Sequence, residues 1–103
     1  MTTDTEVQTE QAKKVRKGSK EPGRFVVIFH NDDVTPVDFV IQVLETVFHH
    51  VEEAAKLLTL KVHEEGRAVV GIYTWEVAEQ KALETVTLAR NNGFPLSVSV
   101  EQE

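Results

Sequence analysis

The apolar residues of this chain fall into separate clusters whose spacing changes from one to the next. Phe25-Val26-Val27-Ile28-Phe29 is a continuous β-branched and aromatic run, the pattern of a strand covered on both faces, and it stops at Asn31-Asp32-Asp33. Val37, Val40, Ile41, Leu44, Val47 and Phe48 then recur at helical spacing as a core-facing stripe, with His49 and His50 near its end. Thr35 offers a capping hydroxyl, Pro36 suits the first helical position, and the Asp38 carboxylate suits the positive end of the helix dipole. A second helix is expected over 52–65, with Ala55, Leu58 and Val62 on one face and Gly66 as its terminator. Ala68-Val69-Val70-Gly71-Ile72-Tyr73 reads as the second strand. Thr74 is placed to cap a third helix that buries Val77, Ala78, Leu83, Val86 and Ala89 and ends at Asn91-Asn92-Gly93. After Pro95, Leu96 to Val100 alternates with serines and predicts a half-buried last strand. The order β-α-α-β-α-β implies an α+β domain, a three-stranded antiparallel sheet packed with three helices.

Residues 1–24 stand apart from this pattern. Met1, Val7, Ala12 and Val15 are their only hydrophobic residues and none is aromatic, too little to offset the entropy of ordering. We therefore expect a flexible extension over 1–24, closing on the Glu21-Pro22-Gly23 turn signal, and one folded domain over 25–103. The charge divides at the same place. Of a net −6, residues 1–24 carry six Lys and Arg against four Asp and Glu, or +2, which leaves −8 for the rest. The basic run from Lys13 to Lys20 reads as a solvated linker rather than a nucleic-acid arm, because no aromatic is interleaved for stacking. No apolar run approaches the roughly 18 residues of a membrane span, and Met1 to Glu10 is polar and acidic. A cytoplasmic protein without nucleic-acid or membrane partners is expected, and nothing obliges more than a monomer.

Composition also closes off chemistry. The chain has no Cys, which excludes disulfides, thiolate catalysis and Cys-ligated zinc. Ser19, Ser97 and Ser99 sit in no Gly-x-Ser-x-Gly turn, and the glycines at 18, 23, 66, 71 and 93 form neither a dinucleotide nor a Walker loop. A metal site drawn from His30, Asp32, Asp33 and His63 lacks any helical His pair at i, i+4, and adjacent residues such as His49 and His50 point about 100° apart on a helix. No metal and no cofactor are expected. What remains is Asn31-Asp32-Asp33, two carboxylates and an amide between a strand and a helix, together with His63 in the last turn of the second helix. Turn chemistry accounts for part of the first, and a helix-end cation for the second.

Taken together these residues resemble the ClpS family, adaptors of the Clp protease that carry N-degron substrates to a AAA+ unfoldase. Asn31-Asp32-Asp33-Val34-Thr35-Pro36 is similar to the family's N-D-D-x-T-P signature, with Phe39-Val40 following. Val62-His63-Glu64-Glu65-Gly66 resembles its V-H-x-x-G element, Thr74-Trp75-Glu76-Val77-Ala78-Glu79-Gln80-Lys81 its T-x-E-V-A-E-x-K helix start, and Pro95-Leu96 the P-L before its last strand. The elements lie in family order across 25–103.

The resemblance implies a non-catalytic adaptor that binds a bulky hydrophobic N-terminal residue (Phe, Tyr or Trp, with Leu a further candidate) and delivers its bearer to the N-terminal domain of a ClpA- or ClpC-like unfoldase. On that reading the free α-ammonium is held by Asn31, Asp32, Asp33 and a neutral His63, groups that accept hydrogen bonds and supply negative charge. Binding should then weaken on acidification, as the His63 imidazole gains its proton. The family's pocket positions fall on Thr35, Val37, Val40, Thr59, Val62 and Leu96, and its unfoldase contacts on Glu76, Glu79 and Lys81. Val37 and Thr59 stand where methionines are usual, so short, stiff side chains should leave a wider pocket that closes less well on its guest, one that Phe, Tyr or Trp fills and Leu underfills, or, as the alternative, one that admits Ile or Val.

Overall fold

A computed structural model describes residues 23–103. The chain runs β1 (Phe25–His30), α1 (Val37–Thr46), α2 (Glu52–Glu65), β2 (Arg67–Tyr73), α3 (Trp75–Asn91) and β3 (Ser97–Gln102), the order that the apolar spacing predicts. The expected extension lies outside the described residues except for Gly23 and Arg24. Arg24 is tied to the fold: its Nε meets Glu103 Oε1 at 2.7 Å, and its carbonyl accepts from the Glu103 N–H at 2.8 Å.

The sheet order is β2-β1-β3 with both pairings antiparallel, so the most apolar strand is central. Phe25, Val27 and Phe29 share one face of β1 and enter the core, joined by Val40, Val43, Leu44, Ala55, Val62, Ala78 and Ala89 from the helices. The alanines are fully covered, which lets the helices lie close to the sheet. Edge-on ring pairs, Phe29 with Phe48 at 5.5 Å and Phe25 with Trp75 at 5.3 Å, fill the remainder. Truncating Phe29 to Ala would cost about 3–5 kcal/mol. The pairing of β1 with β2 shifts by one residue, from Val27–Gly71 to Ile28–Val69. That bulge restores the inward face after Val70, so Tyr73 packs against the core while Ile72 is exposed. Gly71 shares the Tyr73 face, and a Cβ there would sit 2.5 Å from the tyrosine ring.

Several local expectations are corrected. Thr35 does not cap α1: Pro36 is the N-cap residue, no side chain caps the helix, and the Thr35 hydroxyl donates instead to the charged acceptor Asp32. α1 stops at Thr46, ahead of His49, which adopts a left-handed φ of 60°. His50 lies beyond that turn, where its N–H reaches Leu44 O and its Nε2 donates to Val70 O at 2.6 Å. Thr74 is the N-cap residue of α3, yet its side chain makes no capping bond. Val37, Val77 and Leu83 are 56%, 39% and 66% exposed rather than core, since the helical stripes that face the sheet run through Val43 and Leu44 on α1 and Ala78, Thr85 and Ala89 on α3. Gly66 (φ 89°) and Gly93 (φ 78°) end α2 and α3 in the left-handed turns that their positions suggest.

Candidate functional site

The loop that leaves β1 is organised by Asp32. Its Oδ1 accepts from the N–H groups of Val34 (2.8 Å) and Thr35 (2.7 Å), and its Oδ2 accepts from the Thr35 hydroxyl at 2.8 Å. Burial pushes this carboxyl up, but those three hydrogen bonds together outweigh it and hold the group below its ordinary value. Asn31 is pinned from the other side, its N–H donating to Gly66 O at 2.9 Å. Gly66 ends α2, and His63 lies one helical turn earlier. A strand end and a helix end thus bring Asn31 and His63 to one place. Asn31, Asp33 and His63 are all exposed, and none of their side chains bonds to a described residue.

From this polar end a cleft of about 370 Å³ runs between α1 and α2, lined by Val37, Ile41, Lys56, Thr59, Leu60 and His63. Thr59 is buried and its hydroxyl is engaged by Ala55 O at 2.8 Å, so what it offers the cleft is hydrocarbon. Val37, Thr59 and His63 were expected here from the sequence; Ile41, Leu60 and Lys56 were not. For Lys56 and Leu60 the signal was a second helical stripe on α2, at 56, 59, 60 and 63, beside the one that packs the core. Val40, Val62 and Leu96 are buried at 6%, 5% and 2% exposure and do not line the open cleft, while Thr35 sits in the Asp32 loop.

The other expected residues lie elsewhere. Glu76 and Glu79 are exposed at the start of α3, whereas Lys81 turns inward, donating to Val47 O at 2.8 Å with its ammonium over the rings of Tyr73 (5.5 Å) and Phe48 (5.9 Å). A groove of similar volume lies along α3 at Gln80, Leu83, Glu84, Thr87 and Leu88. Among the described residues no three His, Asp or Glu side chains come together to hold a metal, and no helix is long and apolar enough to cross a membrane.

A small α+β domain with an apolar cleft that carries His63 at one end has the form of a binding module. Comparison with known proteins narrows this further. The family model for the ATP-dependent Clp protease adaptor protein ClpS matches residues 20–99. The ATP-dependent Clp protease adapter protein ClpS of Treponema denticola is 46% identical over 82 residues, 80% of this chain and 81% of that protein. Its counterpart from Desulforapulum autotrophicum is 40% identical over 97 residues, covering 94% and 93%. The solved structure of Agrobacterium tumefaciens ClpS2 bound to L-phenylalaninamide superposes with a TM-score of 0.78 at 37% identity, over 81% of this chain and all of the other. The chain belongs to the ClpS family, whose members are adaptors and not enzymes.

Proposed function

We propose that this protein binds substrates through a free N-terminal Phe, Tyr or Trp and delivers them to a Clp AAA+ unfoldase. The observation that supports the reading is an apolar cleft with His63 in its lining, on a helix to whose end the Asn31 backbone is tied through Gly66. The ligand named for the Agrobacterium relative fits that chemistry, since L-phenylalaninamide offers a free α-amine, an aromatic side chain and a blocked carboxyl end, as the first residue of a chain does.

The Asn31 carbonyl, the Asp33 carboxylate and a neutral His63 nitrogen take the three donors of the ammonium. Asp32, with both oxygens engaged, builds the loop and adds its charge at one remove. Val37 and Thr59 contact the aromatic side chain, with Thr35, Val40, Val62 and Leu96 behind them. Glu76 and Glu79 meet the unfoldase, and Lys81 supports that surface from within. Calorimetry of a peptide with a free N-terminal Phe against its acetylated twin tests the reading. Acetylation removes the charge and two donors and leaves acceptors unpaired, a loss on the order of several kcal/mol; equal binding of the two, or none, overturns it. In the same assay Leu at the first position should bind more weakly than Phe, because it underfills a cleft walled by short side chains. Equal affinity removes that preference.

A further inference from the structure

The cleft has two unlike ends. Its α2 wall runs from Lys56 to His63, seven residues along one helical face, which is about 10 Å at 1.5 Å per residue. His63 stands at one end, one helical turn before Gly66, to which the Asn31 backbone is tied. At the opposite end stands Lys56, and no carboxylate lines the cleft between them. Lys56 meets Glu52 at 3.1 Å, an i, i+4 pair with both side chains well exposed, so a second carboxylate can share or replace that partner at little cost. The walls of Val37, Ile41 and Leu60 continue the apolar surface toward Lys56. An extended chain advances about 3.3 Å per residue, so a peptide whose amine rests beside His63 and which follows the cleft passes Lys56 with its third or fourth residue.

We propose that Lys56 reads the sequence downstream of the bound N-terminus, so that the cleft selects chains with an acidic side chain at the third or fourth position and disfavours a basic one there. This rests on the reading of the site as an N-terminus receptor. The test is fluorescence anisotropy with a set of peptides that share a free N-terminal Phe and carry Glu, Ala or Lys at positions 3 and 4. Glu should bind about two- to fivefold tighter than Ala, and Lys weaker by a similar factor, a spread that shrinks at high salt. In Lys56→Glu the order should invert. Equal affinities across the set, with Phe-first binding intact, overturn the role of Lys56 and leave the adaptor reading standing; an order unchanged in Lys56→Glu does the same. Failure of every Phe-first peptide to bind removes both. The wild-type series decides the matter even if the variant does not fold.

Discussion

Two regions of this molecule treat polar side chains in opposite ways. Along α3 and its flanks several are engaged internally, although Glu76, Glu79 and Glu84 of the same helix are not: Lys81 donates to Val47 O, Thr85 to Lys81 O, Asn92 to Leu88 O, and Arg90 to both Phe94 O and Leu96 O. Where β1 meets the end of α2 the backbone is also held, by the Asn31 N–H bond to Gly66 O, yet Asn31, Asp33 and His63 keep their side chains clear of any described partner. A group bonded within the fold must break that bond to meet a ligand. One held in place without a bond has nothing to break. Unengaged acceptors on a held backbone are thus free to meet a ligand, and the contrast with the engaged side chains can be attacked by mutation.

The largest effect should come from the unengaged side. His63→Ala and Asn31→Ala should each weaken binding of a Phe-first peptide about ten- to a hundredfold, the value of one hydrogen bond to a charged group. Both variants should stay within about 0.5 kcal/mol of the parent in urea unfolding, since neither side chain supports the fold. A loss of stability comparable to that of the internally bonded residues would erase the distinction.

Asp32 belongs to the engaged class although it adjoins the site. Asp32→Ala removes three hydrogen bonds and should cost about 2 kcal/mol in urea unfolding. The sign of its pH dependence follows from the lowered pKa. Its folded value lies below the ordinary 3.8, so its contribution is complete above that pH and is lost as pH falls through the depressed value. The acid limb of the stability curve should accordingly be flatter in Asp32→Ala than in the parent. Lys81→Met is a smaller perturbation, about 1–2 kcal/mol for a half-buried carbonyl left without its donor. An unchanged urea midpoint would show that the lysine is free for a partner after all.

Much of this was legible in the chain. The central strand, α2 with its bounds, and the glycine turns at 66 and 93 followed from apolar spacing and left-handed propensity. Less legible were features set by tertiary competition. Asp32 outbids the helix terminus for the Thr35 hydroxyl, and a β-bulge after Val70 turns Tyr73 inward in place of Ile72. The candidate residues Asn31 to Asp33 and His63 stood out by composition, but the approach of the β1 end to the end of α2 rests on one long-range bond, Asn31 to Gly66, that no local pattern announces. Lys56 escaped notice because on a single helix it reads as a solvated partner of Glu52.

The smallest effect compares two histidines across the same divide. His30 is half-buried with Nε2 2.8 Å from Ser99 Oγ, whereas His63 lines the cleft without an internal partner. Burial disfavours the charged form of His30 and the nearby Arg67 adds to this, with Glu101 opposing, so its pKa falls below 6.5. The unfolded chain then takes up more protons than the folded one just below pH 6.5. The His30 contribution is therefore present above 6.5 and declines as pH falls toward the folded value. Urea midpoints at pH 7.5 and 5.5 should show this decline in the parent and in His63→Ala, and lose part of it in His30→Gln, which keeps a polar group near Ser99. Peptide affinity should fall in His63→Ala and be unchanged in His30→Gln. If stability instead followed His63 and binding followed His30, the cleft mouth would be part of the scaffold, and the receptor would have to be sought on the other face of the sheet.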